Sequence, residues 1–159
     1  MWERNHRRAR AALAGLALAL LLAPPANAHD GATGVVKERM QAMDAMAKSM
    51  KTVGPMIRGQ VSLDHEKAAA AARTIAAGAG EHLLRLFPAG SLMPPSDAKA
   101  EIWDDWARFE ALANELADAA GRMEETAKDG ADSTGMAAAF KGVGGVCADC
   151  HKEFRAKKR

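Results

Sequence analysis

Ile102, Trp106, Phe109, Ala113, Leu116, Ala120 and Met123 follow one another at alternating steps of four and three residues. Side chains at that spacing share one side of an α-helix, and a helix so patterned is stable only when that side is covered. The chain carries its own covers. Met136, Phe140, Val143, Cys147, Cys150 and Phe154 repeat the alternation to the C-terminus, and Val36, Met40, Met43, Ala47 and Met50 make a third stripe. Tyrosine is absent, strand formers are sparse, and alanine, methionine, leucine, glutamate and lysine dominate.

The expected boundaries are a first helix from about 35 to Gly59, with Pro55 kinking or ending it, and a second capped by Ser62 and running to Leu86, before Pro88. PAGSLMPPS, residues 88–96, reads as the one substantial loop. Ser96 or Asp97 is expected to cap the third helix, KDGADS to break it, and Ser133 or Thr134 to cap the fourth. Four such helices bury their stripes only against one another, so the fold class is all-α, an antiparallel four-helix bundle.

Residues 1–28 have the layout of a secretory signal: Arg4, Arg7, Arg8 and Arg10, an apolar run from Ala11 to Ala23, then Pro24-Pro25 and Ala26-Asn27-Ala28. The apolar run is 13 residues, short of the roughly 20 that span a bilayer, so cleavage after Ala28 is expected rather than a membrane anchor. That leaves residues 29–159 as one domain. Removing four arginines and one acid from 22 basic and 20 acidic side chains leaves 18 against 19. The basic character thus belongs to the export segment, and no nucleic-acid partner is implied. Lys152, Arg155, Lys157, Lys158 and Arg159 gather at the end of the last helix, where positive charge complements the helix dipole.

VCADCHKEF, residues 146–154, holds both cysteines of the chain with a histidine directly after the second. Cys-x-x-Cys serves dithiol redox, half a zinc site, or covalent haem attachment, and only the last asks for histidine next. A redox pair belongs at a helix N-terminus, whereas this one lies deep in the last helix. Zinc would need Cys147, Cys150 and His151 with one of His29, His65 or His82, and nothing in the spacing brings these together. On a helix, Cys147 and Cys150 project to one face, suited to bonding both vinyl groups of one haem, and His151 to ligating the iron as proximal ligand. Gly142, Gly144 and Gly145 just upstream cost about 1 kcal/mol each in a helix, a cost that close approach of a flat cofactor would offset. The other reading of these glycines is a helix that begins only after Gly145. No paired carboxylates, Ser-His-Asp set, phosphate loop or EF-hand loop is present, so no hydrolytic or phosphoryl-transfer enzyme is indicated.

With FKGVGGVCADCHKEFR at its end, EIWDDWARF opening the third helix and VVKERMQAM opening the first, the chain resembles the cytochrome c-prime and cytochrome c-556 family over about residues 35–157. The resemblance implies one covalent haem c inside a four-helix bundle in a bacterial periplasm. It also implies that the residue facing the far side of the haem lies on the first helix, four after an arginine, which here is Met43. A thioether there makes a low-spin His/Met electron carrier of the c-556 type the expected function, with Met40 and Met46 the next candidate ligands. The alternative is a pentacoordinate cytochrome c-prime that binds nitric oxide or carbon monoxide, with Met43 as core filler. Arg39, by the same resemblance, is expected to pair with a haem propionate. His65 or His82 in place of Met43 is a further option, and Trp103, Trp106 and Phe109 are expected to be core or to wall the pocket. The family includes dimers built through the first two helices, so a homodimer is a possible assembly. The redox partner is not readable from the residues.

Overall fold

The computed structural model describes residues 31–157. The expected export segment, His29, Lys158 and Arg159 lie outside them. Six helices follow in order: α1 (Gly34–Ile57), α2 (His65–Gly78), α3 (Gly80–Arg85), α4 (Glu101–Asp104), α5 (Trp106–Lys128) and α6 (Ser133–Phe154), with no β-strand among the described residues. With α2 and α3 forming one arm, the arms make an all-α four-helix bundle. The arm pairs pack α1 on α2, α2 on α5 and α5 on α6; the α1–α6 seam is the sparsest.

Aspartates set the helix starts. The Asp64 carboxylate accepts from the Lys67 amide at 3.0 Å and caps α2, two residues beyond the expected Ser62. Asp132 accepts from the Gly135 amide at 2.9 Å and caps α6, in place of Ser133 or Thr134. A carboxylate both bonds a free amide and complements the positive end of the helix. Ser96 and Asp97 cap nothing, because their segment pairs with the chain end instead: the Ala156 amide donates to the Asp97 carbonyl at 2.8 Å and the Lys99 amide to the Phe154 carbonyl at 3.0 Å. The third arm starts at Glu101, breaks at Asp105 (φ −127°, ψ 59°), and resumes as α5, with Asp105 accepting from the Arg108 amide.

The second arm also breaks, at Ala79 and Gly80. Gly80 has φ +53°, and a Cβ there would stand 3.5 Å from Ala117 Cβ, an ordinary contact, so the turn favours glycine by conformation. Pro55 sits in the last turns of α1, which ends at Ile57. The helix α6 runs unbroken through Gly142, Gly144 and Gly145, so it does not begin after Gly145.

Phe109 is the centre of the core. Its ring packs edge-on to Phe87 (centroids 4.8 Å apart) and Phe154 (5.5 Å), and against Trp106. Around it lie buried Ile75, Leu83, Ile102, Leu112, Met123, Met136 and Val143. Fully buried Ala68, Ala72 and Ala120 let α2 and α5 approach closely. The expected stripe of the third arm is buried throughout except for half-buried Trp106. In α1 the buried stripe is Val36, Arg39, Met46 and Val53. The expected Met40, Met43 and Met50 are half-buried and Ala47 is exposed; Met43 and Met50 pack against the core and, with Ala47, also line a cavity.

Candidate cofactor site

Between α1 and α6 lies a cavity of about 340 Å³, within the roughly 300–1,000 Å³ range of ligand pockets. Met43, Met46 and Met50 of α1, Ile75 of α2, Leu83 of α3, and Leu112, Ala113 and Leu116 of α5 form three sides. Val146, Cys147, Cys150 and His151 of α6 form the fourth. Lys51, Ala47 and His151 are exposed yet line the cavity, which marks its mouth. The walls are otherwise apolar.

Met43 of α1 and His151 of α6 stand on the two helices that flank the cavity, and both line it. Across the same seam a methyl on Gly144 of α6 would stand 3.8 Å from Met50 Cε of α1. Met46 is turned aside: its Cγ and Sδ would lie 3.3 Å from a Cβ on Gly78 of α2, and its sulfur is held in the α1–α2 contact. Met40 is not among the lining residues.

Burial raises the Cys147 thiol, and burial, with the charges of Cys147 and Glu153 behind it, pushes Cys150 up to about 11. Both thiols are thus protonated at neutral pH, the opposite of the activated thiolate that dithiol redox requires. Partial burial, with Arg155 adding to it, lowers the His151 pKa and keeps a neutral imidazole with a lone pair free for a metal. His65 Nε2 lies 2.8 Å from the Ala131 carbonyl, where it joins α2 to the α5–α6 turn, and neither His65 nor His82 lines the cavity. No group of three or more His, Cys, Asp and Glu side chains poised for a metal occurs among the described residues, so the described residues offer neither a zinc set nor a second histidine. Two thiols and one imidazole on a single wall of an apolar cavity fit haem c, which needs two attachment sulfurs and one nitrogen on the same side.

Arg39 does not line the cavity. It is 4% exposed, and its guanidinium donates to the Leu86 carbonyl from Nε (3.1 Å) and Nη2 (2.8 Å), to Ser91 Oγ (2.8 Å) and to Ser96 Oγ (3.0 Å). It also stacks 3.8 Å from the Phe87 ring centroid. The alternation Val36, Arg39, Met43, Met46, Met50, Val53 passes through this arginine, a signal in the sequence that it points inward. Trp103 Nε1 donates to the Phe87 carbonyl at 3.1 Å, so the aromatics on this side pin the 86–96 loop and do not wall the cavity. Lys51, Ile75, Leu83, Leu112 and Val146 line the cavity without standing on any of the three expected stripes.

A helical bundle whose last helix offers two sulfurs and an imidazole to an internal cavity is the architecture of a c-type haem protein. Residues 34–155 match the family model described as cytochrome C'. The chain is 37% identical over 121 residues to a cytochrome c' of Pararhodospirillum photometricum, covering 76% of this chain and 94% of the relative. It is 32% identical to a cytochrome c-556 of Agrobacterium tumefaciens, over 79% of this chain and 99% of that one. Among solved structures it is similar to a nitric oxide complex of a variant of cytochrome c prime from Alcaligenes xylosoxidans, with a TM-score of 0.70, 29% identity, and coverage of 78% of this chain and 94% of that one. The chain belongs to the cytochrome c' family, whose cofactor is covalently attached haem c.

Proposed function

We propose that this protein holds haem c through thioethers from Cys147 and Cys150, with His151 on the iron, and binds nitric oxide or carbon monoxide on the opposite face. The observation that carries it is the composition of that face: the α1 wall offers thioethers and methyl groups and, apart from Lys51 at the mouth, no hydrogen-bond donor. Nitric oxide and carbon monoxide need no such donor, whereas bound dioxygen is stabilised by one. The nitric oxide complex of the Alcaligenes relative supports the same reading. In it Met43 packs over the iron position, and Arg39 orders the 86–96 loop. A propionate would reach Arg39 by replacing Ser91 or Ser96 as acceptor.

A second reading, the His/Met electron carrier, is favoured by the Met43 thioether lining the same cavity as His151 and by the c-556 relative. One experiment separates them. The oxidised protein is expected to be high-spin by electron paramagnetic resonance, and the reduced protein to take up carbon monoxide. Low-spin spectra in both oxidation states and no carbon monoxide uptake would assign Met43 to the iron and the protein to electron transfer. Under either reading acid-acetone leaves the haem on the polypeptide, and freely extracted colour would refute the thioethers. Residues 1–28 direct export to the periplasm in this account, tested by N-terminal sequencing of the purified protein for a start at His29. Homodimer formation through the outward faces of α1 and α2 is the assembly it expects, read by sedimentation, since Ala68, Ala69, Ala71 and Ala72 are already buried within the bundle.

A further inference from the structure

His151 stands in the last turn of α6, which ends at Phe154. An α-helix leaves the carbonyls of its final turn without partners inside the helix, and such a turn frays unless outside donors hold it. The Arg155 amide donates to the His151 carbonyl at 3.2 Å. Two of the carbonyls that follow are taken by a single residue from a distant segment. The Lys99 amide donates to the Phe154 carbonyl at 3.0 Å, and Lys99 Nζ donates to the Glu153 carbonyl. An ammonium at that place also meets the negative end of the helix dipole.

Lys99 is itself anchored. Ala98 and Arg155 form an antiparallel bridge, extended by the Ala156 amide donating to the Asp97 carbonyl at 2.8 Å. The Asp97 carboxylate accepts from the Arg155 guanidinium at 3.3 Å. One step earlier, Ser96 Oγ accepts from the Ala98 amide at 3.2 Å and from buried Arg39 of α1 at 3.0 Å. Residues 96–99 therefore run as a strap from an interior arginine of the first arm to the end of the last. From the other side, buried Phe154 packs edge-on to Phe109, so the turn is gripped by the core within and by Lys99 without.

We infer that Lys99 is a positioning residue for His151, fixing the direction of the imidazole by closing the helix turn that carries it. Lys99 does not line the cavity, whereas His151 does, so the lysine acts only through the Glu153 and Phe154 carbonyls. A ligand held to a defined direction needs the backbone beneath it held as well. This role rests on His151 being the iron ligand, as proposed above, and adds the residue that sets its orientation.

Two measurements on the ferric holoprotein test it: amide hydrogen exchange, and the nuclear magnetic resonance signals of selectively labelled histidine, which the iron shifts in either spin state. Lys99→Met removes the ammonium, keeps most of the stem and leaves the backbone bond to Phe154 in place. In this variant the amides of residues 153–156 are expected to exchange about threefold faster or more, as loss of one modest hydrogen bond implies. The iron-shifted His151 resonances are expected to move and broaden. Lys99→Arg, which still donates to a carbonyl, should restore both. Arg73→Gln breaks the ion pair of α2 with Glu124 of α5 and should change neither. His151 resonances unchanged in Lys99→Met, whether or not the turn exchanges faster, overturn the positioning role, and so do equal changes in Arg73→Gln. If no histidine of the unmutated protein carries an iron-shifted signal, the ligation itself is refuted and the positioning falls with it, an outcome distinct from the other two.

Discussion

Met43 and Arg39 lie four residues apart on α1 and do different work because helix geometry turns them to different neighbours. Met43 borders the cavity that His151 also lines, so shortening it opens the space that a diatomic ligand must cross. Met43→Ala is expected to raise the carbon monoxide association rate about tenfold, equivalent to ~1.4 kcal/mol off the access barrier. Flash photolysis reads this, and an unchanged rate would place the ligand path elsewhere. Arg39→Met removes four hydrogen bonds and leaves the Leu86 carbonyl buried without its partner. The expected loss is about 2–3 kcal/mol by urea unfolding, with faster amide exchange across 86–96. Arg39→Lys should recover only part, since an ammonium cannot fork between Leu86, Ser91 and Ser96. The attachment residues were legible because Cys147, Cys150 and His151 form a contiguous motif whose chemistry needs those three groups. The hold of Arg39 on its loop was not legible: its acceptors lie 47 to 57 positions away in the chain, a proximity only the folded bundle creates.

At the scale of the element, apolar periodicity located the arms and local chemistry decided where they stop. Period 3.5 marked the third arm well because its stripe is buried, half-buried Trp106 apart, and it placed Cys147 and Cys150 of the fourth on the face that lines the cavity. It misjudged α1, where Met43 and Met50 line the cavity and the buried line runs through Arg39 and Met46. Caps were misread because Ser62, Ser133 and Asp132 all carry a suitable oxygen, and the choice depends on where the neighbouring arm holds the first turn. Asp132→Ala should therefore cost about 1 kcal/mol, while Ser133→Ala costs little, an order that thermal unfolding can check. The break between α2 and α3 went unseen because a glycine within an alanine-rich run gives no period change. Gly80→Ala meets a positive φ, and a loss of about 1–2 kcal/mol is expected. A neutral result would mean that the arm can straighten.

For the whole molecule, the bundle is held by apolar burial and stitched across its seams by a few carboxylates whose titration sets its acid limit. Glu153 accepts from Arg108 Nε (3.1 Å) and Nη2 (2.8 Å) and joins α6 to α5. Glu124 meets Arg73 at 3.2 Å and joins α5 to α2. The Glu153 pKa is lowered chiefly by its Arg108 hydrogen bonds, and that of Glu124 chiefly by Lys128, with Arg73 behind it. Asp64 is lowered by the Lys67 amide it caps and by the Lys67 side chain. A carboxylate whose folded pKa lies below its unfolded one binds fewer protons when folded, so it stabilises above the unfolded value and loses that contribution as pH falls through the folded value. The reference values are 4.5 for the glutamates and 3.8 for Asp64. These three groups should thus leave the urea midpoint flat from neutral pH down to about pH 5 and lower it progressively below about pH 4.5. All three are half-buried at the surface and still reached by solvent, so the slope is shallow and is reduced further by added salt. Glu153→Gln keeps the shape of the side chain and removes its charge, so this variant is expected to be slightly less stable at pH 7 and to converge on the unmutated protein near pH 3. If the two curves stay parallel to that pH, the α5–α6 ion pair contributes nothing and the acid limit of the bundle lies in other groups.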